Sequence, residues 1–321
     1  MGGDIIEVEN LTHAFDGFQA VKGISFSVRE GEIFSFLGPN GAGKSTTINV
    51  LITLLPLQSG RVRIAGYDVA REPARVRESI GVVFQNEVLD RDLTVRETME
   101  FHGRLYGIPR DERRAKIEEM LGIVKLTGKR DERTKNLSGG MKRRLEIARG
   151  LMTQPQVLFL DEPTIGLDPQ TRLKMWDYIE QVNEAGTTIF LTTHYMDEAD
   201  TLSDRISIID HGEIVTTGTP DSLKNALGED VIYLETTDNR AAEKALGSLK
   251  SVRNTMASPR GLVVTITEDG SRCLPAVIDR VRGEGIAIRS VNLKKPSMDD
   301  VFVHYTGREL RDTGEAGRGG S

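Results

Sequence analysis

The sequence predicts an α/β protein of two domains: a mixed-sheet core with an antiparallel β subdomain and a helical insertion, then a small α+β module of ferredoxin-like order. Three observations predict it. Gly38-Pro39-Asn40-Gly41-Ala42-Gly43-Lys44-Ser45 stands between an apolar run of strand length at 32–37 and a helix-patterned run at 46–55. Apolar strand-length segments return at 157–160, 188–191 and 206–209, alternating with helical patterns, which implies a parallel sheet covered on both faces. From residue 231 the order becomes strand, helix, strand, strand, helix, strand.

Each element follows from local pattern. Short β-rich runs at 5–8, 23–28 and 33–37 suit an antiparallel edge leading into the strand before the glycines. The stretch from 94 to about 130 has helical spacing in Val95, Met99, His102 and Leu105, then in Ile117, Met120, Leu121 and Val124. Residues 142–152 are strongly helical, and Gly218-Thr219-Pro220 marks a break. Beyond it, strands are expected at 231–236, 252–256, 262–267 and 286–293, helices at 240–249 and 274–282, and a closing helix at 296–305. The domains are therefore drawn at 4–225, with a helical part at about 86–155, and at 228–308, followed by a polar, disordered tail at 309–321.

Composition narrows the function. At 321 residues the chain has the length of two domains, each with room for a buried core. A balance of 42 basic against 48 acidic residues, net charge −6, argues against broad capture of nucleic acid, and no nucleic-acid partner is expected. Cys273 is the single cysteine, so no intrachain disulfide can form, and a small buried hydrophobe is its expected role. No stretch approaches the roughly twenty apolar residues of a membrane span, and the N-terminus lacks the basic region and apolar core of a secretory signal.

The octapeptide at 38–45 is a complete phosphate-binding P-loop pattern, and strand, loop and helix arrive in the required order. Its glycines let the backbone wrap phosphate oxygens with N–H groups, aided by the following helix N-terminus. A nucleoside triphosphate is the expected ligand, with Lys44 on the β- and γ-phosphates and the Ser45 hydroxyl on Mg²⁺. Asp161 and Glu162 end the apolar run at 157–160, and a strand's C-terminal edge is where open α/β sheets place their chemistry. Paired acids there can be plain solvated punctuation; beside a P-loop they suit a Mg²⁺ ligand, Asp161, and a group reaching the attacking water, Glu162.

Leu137-Ser138-Gly139-Gly140-Met141 places a serine and two glycines at a helix N-terminus. An N-cap accounts for Ser138 but leaves two consecutive glycines, poor in helices, unexplained. This segment resembles the signature motif of the ATP-binding cassette (ABC) family, and the resemblance extends over about residues 5–220. The resemblance implies that Phe15 stacks on adenine and that Gly38, Pro39, Asn40, Gly41, Ala42, Gly43, Lys44, Ser45 and Thr46 bind ATP. It implies that Gln85, in Val83-Phe84-Gln85-Asn86, senses Mg²⁺ and contacts a membrane partner, so that Ser45, Gln85 and Asp161 surround the metal. Glu162, His194, Lys44 and Gln85 become the catalytic set, with His194 on the γ-phosphate and Asp168, in Gly166-Leu167-Asp168, in the D-loop. Leu137, Ser138, Gly139 and Gly140 would act in trans, closing the nucleotide held by a second copy. Met141 departs from the family, which commonly has glutamine there, and Met offers no amide hydrogen bond.

Lys294-Lys295-Pro296-Ser297-Met298-Asp299-Asp300-Val301-Phe302, with Tyr305-Thr306-Gly307-Arg308, resembles the closing segment of ATPase subunits of the daunorubicin/doxorubicin-resistance type, and the stretch at 146–151 is also similar to that group. The resemblance implies a homodimeric, Mg²⁺-dependent ATPase subunit of an exporter, held at the cytoplasmic face of the membrane by a separate integral membrane permease. Two alternatives stay open: a cassette ATPase without a membrane partner, acting in translation or on DNA, and an importer ATPase. A single set of motifs and a short spacing between P-loop and signature stand against the first.

Overall fold

A computed structural model describes residues 3–227, 230–258, 261–267 and 270–307; the tail expected at 309–321 lies outside them. The chain divides into two compact units, Met1–Val215 and Thr216–Ser321.

The first unit opens with β1 (Asp4–Phe15) and β2 (Phe18–Arg29), an antiparallel pair. Asp16 and Gly17 between them both have positive φ, 46° and 85°, as a two-residue primed hairpin turn requires. Next come β3 (Ile33–Leu37), α1 (Lys44–Leu51), β4 (Ser59–Ile64), β5 (Tyr67–Asp68), α2 (Pro73–Ser79) and β6 (Ile80–Val83). The helices α3 (Val95–Leu105), α4 (Arg110–Ile123) and α5 (Gly139–Leu151) follow, then β7 (Val157–Asp161), α6 (Pro169–Glu184), β8 (Thr188–Thr193), α7 (Met196–Leu202), β9 (Arg205–Asp210) and β10 (Glu213–Gly218).

Two sheets result. One has the order β2-β1-β4-β5 and the other β10-β9-β3-β8-β7-β6. Strands β9, β3, β8, β7 and β6 run parallel, while the two-residue link His211-Gly212, φ 48° and 83°, turns β10 back as an edge strand. Alternate residues of the parallel strands feed two cores. Leu158, Leu160, Ile189 and Leu191 face Met99, Ile117, Leu121 and Leu145 of the helical insertion. Phe34, Phe36, Phe159 and Phe190 face Val8, Phe26, Val62 and Ile48, from the first sheet and α1.

The expected antiparallel subdomain is formed by β1 and β2, each twelve residues long, whose mutual register, with the pairing of β1 on β4, satisfies their backbone groups. Two expectations are corrected. The helix after the P-loop ends at Leu51 instead of 55, because Thr53 takes a left-handed φ of 66° and the N–H groups of Leu54 and Leu55 both donate to Asn49 O. The helical stretch from 94 splits into α3 and α4 at Gly107-Ile108-Pro109, where Gly107 has φ 68°.

The second unit contains α8 (Pro220–Leu227), β11 (Val231–Thr236), α9 (Asn239–Leu246), β12 (Val252–Ser258), β13 (Gly261–Ile266), α10 (Gly270–Gly283), β14 (Ile288–Lys294) and α11 (Met298–Thr306). Its antiparallel sheet has the order β12-β13-β11-β14. Ile232, Leu234, Val264 and Ile266 pack on Ala242 and Leu246 of α9 and on Cys273 and Val277 of α10. Helix α8 packs against α11, which is why the division falls ahead of α8, whereas the sequence pattern carries the first domain on to 225.

Candidate functional site

The four neighbouring parallel strands β3, β8, β7 and β6 end side by side, with Leu37 opposite Thr193, Asp161 opposite Thr192 and Val83 opposite Leu160. The residues that leave those ends are therefore gathered at one sheet edge. They are the P-loop, His194, Glu162 and Gln85, which is the constellation the sequence motifs single out.

The P-loop begins where Gly38 N donates to Thr193 O at 3.2 Å, and it tightens where Ala42 N donates to Pro39 O at 3.2 Å. Gly43 caps α1 in the left-handed region at φ 105°, and a Cβ there would meet Ala20 O at 2.7 Å, so only glycine fits. Asn40 and Gly41 are exposed at the loop tip, and Thr46, in the first turn of α1, is half-buried. Lys44 is buried: its Nζ donates to Gly38 O at 2.7 Å and Pro39 O at 3.1 Å and lies 3.3 Å from Glu162 Oε1. Burial lowers the Lys44 pKa, against the opposing pull of the Glu162 and Asp161 charges.

Glu162 is the centre of the cluster. Gln85 Nε2 donates to its Oε2 at 3.2 Å, and His194 Nδ1 lies 3.2 Å from the same oxygen. Burial alone would raise the Glu162 carboxyl; the hydrogen bond with His194 and the Lys44 charge outweigh it and hold the pKa below the ordinary carboxylate value. The backbone of Glu162 is left-handed, φ 47°, an uncommon conformation for a residue with a Cβ. It is held there from both sides, since its N–H donates to Thr192 O and to Thr192 Oγ1, both at 3.1 Å, while its carbonyl accepts from Arg143 Nη2 at 3.2 Å.

Asp161 accepts from Thr192 Oγ1 at 2.6 Å and from Ser45 Oγ at 3.5 Å. Burial, abetted by the neighbouring Glu162 charge, raises its pKa, with the Thr192 hydrogen bond and Lys44 opposing. Phe15 is 44% exposed at the tip of the β1–β2 hairpin, its ring edge-on to buried His13 at 4.7 Å. It is a presented aromatic face, not a core residue.

The signature segment is built differently. Ser138 caps α5, its Oγ accepting from Met141 N at 3.3 Å, and Leu137 is buried in the helical core. Gly140 is forced by packing, because a Cβ there would meet Thr171 Cγ2 at 2.2 Å; Gly139 is not, since its Cβ would meet only Leu167 Cδ2 at 3.7 Å. Met141 packs partly buried against the helical core. Asp168 caps α6, accepting from Thr171 N at 3.0 Å and from Thr171 Oγ1 at 2.6 Å. These residues meet their partners away from Lys44 and Glu162.

Two residues escaped sequence reasoning. Arg143 of α5 is buried and donates to Pro163 O at 2.9 Å, Asp161 O at 2.8 Å, Glu162 O and Phe84 O, and it pairs with Glu146 at 3.1 Å. Glu146 in turn accepts from Val88 N at 3.0 Å. Nothing marks Arg143 within Lys142-Arg143-Arg144 except its inward position on the helix. Thr192 likewise looks like a β-branched strand residue.

Comparison with known proteins places the chain among relatives. The ABC transporter family model matches residues 21–165, and the model of the C-terminal domain of DrrA1-3-like ATP-binding proteins matches 218–306. The linearmycin resistance ATP-binding protein LnrL of Bacillus subtilis is 38% identical over 311 residues, 96% of this chain and 100% of that protein. The daunorubicin/doxorubicin resistance ATP-binding protein DrrA of Streptomyces peucetius is 41% identical over 313 residues, 96% of this chain and 94% of that protein. Among solved structures, cbiO1 of Clostridium perfringens, part of an ABC transporter complex, superposes with a TM-score of 0.65 at 30% identity, covering 77% of this chain and 96% of that one. The chain thus belongs to the ABC transporter family, as an ATP-binding, ATP-hydrolysing protein of the daunorubicin/doxorubicin-resistance type.

Proposed function

We propose that this chain powers an exporter, coupling head-to-tail dimerisation on ATP to outward movement of a drug, antibiotic or lipid-like compound through a separate membrane subunit. The observation that carries this reading is the convergence of Lys44, Gln85 and His194 on the single carboxyl of Glu162, next to Asp161 and Ser45. Lys44 and the P-loop amides hold the β- and γ-phosphates, His194 meets the γ-phosphate, and Glu162, kept ionised by its neighbours, polarises the attacking water. The hydroxyl of Ser45 and the carboxylate of Asp161 are hard oxygen donors of the kind Mg²⁺ takes, with the Gln85 amide beside them. Once bound, the ion would neutralise charge on the phosphate oxygens.

Dimerisation is supported by Gly139. Packing inside one chain does not demand glycine there, whereas the approach of a phosphate held by a second copy does, at the N-terminus of a thirteen-residue helix. Exchange of ATP for ADP removes the charge that binds two helix ends at once, and the pair reopens.

A permease partner is supported by the match to the ABC transporter family model; among the described residues no helix is long and apolar enough to cross a membrane. The docking surface proposed for it is the segment 84–92 with α3, where Val88, Phe101, Leu105 and Tyr106 are all more than half exposed. That partner would hold the chain at the cytoplasmic face. Residues 4–225 form the proposed ATPase domain with its helical part at 86–155, and the βαββαβ unit at 228–308 a ferredoxin-like accessory domain, a reading supported by its strand order. An exporter of such compounds is favoured over an importer by the printed roles of the relatives, which concern resistance to linearmycin and to daunorubicin or doxorubicin, and Nod factor export.

The test is copurification from membranes, identification of the attached subunit, and transport by the complex. Inverted vesicles holding the complex should take up daunorubicin or linearmycin in an ATP-dependent manner, and vesicles with Glu162→Gln should not. Isolation without any membrane subunit, or vesicles that take up neither class, would overturn the reading.

A further inference from the structure

Glu198, in α7, is a buried acid that the proposed chemistry does not use. Its side chain is fully buried, 0% exposed. Its Oε1 accepts from Thr164 Oγ1 at 2.7 Å and from Trp176 Nε1 at 3.1 Å, and the hydroxyl of Thr193 faces the same carboxyl. No direct ion pair to Glu198 is found among the described residues, and burial pushes its pKa up. Keeping a carboxyl in such a place costs stability relative to an apolar residue of similar volume.

The three groups around its carboxyl lie on three different segments. Thr164 is two residues past Glu162, in a turn where Ile165 N donates to Glu162 O at 3.3 Å and Leu167 N donates to Thr164 O at 3.2 Å. Thr193 immediately precedes His194, and its Oγ1 accepts from Tyr195 N at 2.9 Å. Trp176 belongs to α6, whose N-cap is Asp168. An outer layer repeats the link between α6 and the histidine segment: the Arg172 guanidinium lies 5.7 Å from the Trp176 ring and 4.9 Å from the Tyr195 ring, and pairs with Asp197 at 3.0 Å.

We propose that Glu198 is a positioning residue for hydrolysis, holding the segment that carries Glu162 and the segment that carries His194 in mutual register and tying both to α6. The proposal rests on the reading of Glu162 and His194 given above. It touches neither the phosphate-binding loop nor the adenine face, so its loss should act on turnover and spare binding. Displacement of a catalytic group by about an ångström is enough for roughly a hundredfold loss of rate.

The experiment compares Glu198→Ala, Glu198→Gln and Thr164→Val with the unaltered chain and with Glu162→Gln. ATP affinity is measured by fluorescent-nucleotide titration, and kcat is taken per nucleotide-binding site. Glu198→Ala should lower kcat by about tenfold to a hundredfold, with the ATP Kd within about twofold. Glu198→Gln should restore kcat to within about threefold, because its amide can still accept from Thr164 and Trp176 and can donate to Thr193. Wild-type kcat in folded Glu198→Ala, or equal losses of kcat and affinity with no rescue by glutamine, would overturn the proposal. If Glu198→Ala does not fold, Thr164→Val decides by the same measurements, since it removes one donor and leaves the acid. Undiminished turnover in Glu162→Gln would instead sink the reading of the site and leave the fault there.

Discussion

Lys44 Nζ lies 3.3 Å from Glu162 Oε1, and both side chains are almost sealed from solvent. Each charge helps to keep the other ionised in a buried place, beside the Gly38 and Pro39 carbonyls on Lys44 and the Gln85 and His194 side chains next to Glu162. Glu162→Gln keeps the shape of the carboxyl and one of its two acceptor oxygens but removes its charge. Turnover should fall by roughly a hundredfold or more while ATP binding survives, and the variant should accumulate as a nucleotide-bound dimer in size-exclusion chromatography. Lys44→Ala should act on the other side of the pair, weakening ATP binding by about tenfold or more in calorimetry; equal affinity would contradict the assignment of the phosphate site.

Thr192 serves both acids at once, donating to Asp161 Oδ1 at 2.6 Å and accepting from Glu162 N at 3.1 Å. Thr192→Val preserves volume and deletes both bonds, leaving a strained left-handed residue without one of its two N–H acceptors and the half-buried Asp161 carboxyl without the shorter of its two hydrogen bonds. The expected cost is about 1–3 kcal/mol of stability. Asp161 should also become harder to ionise, so the Mg²⁺ concentration for half-maximal hydrolysis should rise. An unchanged Mg²⁺ activation curve would remove Asp161 from the metal site.

The parts of the site legible in the sequence are those whose geometry is dictated over a few contiguous residues. Gly38 to Ser45 wraps a phosphate whatever surrounds it, and Asp161-Glu162 ends a run too apolar to be anything but a central strand. Which of these motifs meet was inferable only through family resemblance, because Gln85 and Glu162 are 77 residues apart and become neighbours through the order β3-β8-β7-β6. Strand order is a matter of long-range packing and leaves little trace in local pattern. Buried polar residues were hidden for another reason: Arg143 and Glu198 sit in helices full of ordinary surface charge, and only burial distinguishes them.

Arg143 binds the backbone on both sides of the site, and its loss should be felt by fold and function together. Its guanidinium caps the carbonyls of Phe84, Asp161, Glu162 and Pro163, and its partner Glu146 is only 2% exposed. Arg143→Met should destabilise by about 3–5 kcal/mol, because it leaves a buried acid unpaired and several carbonyls unsatisfied. Adding Glu146→Leu should recover part of that loss, since the unpaired acid is then gone. Chemical denaturation of the single and double variants measures both, and a double variant no more stable than Arg143→Met would show that the carbonyls, not the ion pair, dominate.

His102, on the inner flank of α3, carries a pH dependence of defined sign. Burial, with a smaller push from the Arg149 charge, lowers its pKa from 6.5 to about 4. The unfolded chain therefore takes up this proton before the folded one does. Stability from the neutral imidazole is fully present above about pH 6.5 and is lost as pH falls toward 4. Within that window one group contributes a slope of up to about 1.4 kcal/mol per pH unit. His102→Gln should flatten the unfolding free energy between these limits relative to the unaltered chain, leaving the behaviour above pH 7 unchanged. Parallel curves for the two proteins from pH 7 down to 4 would mean that His102 protonates as easily in the folded chain as in the unfolded one.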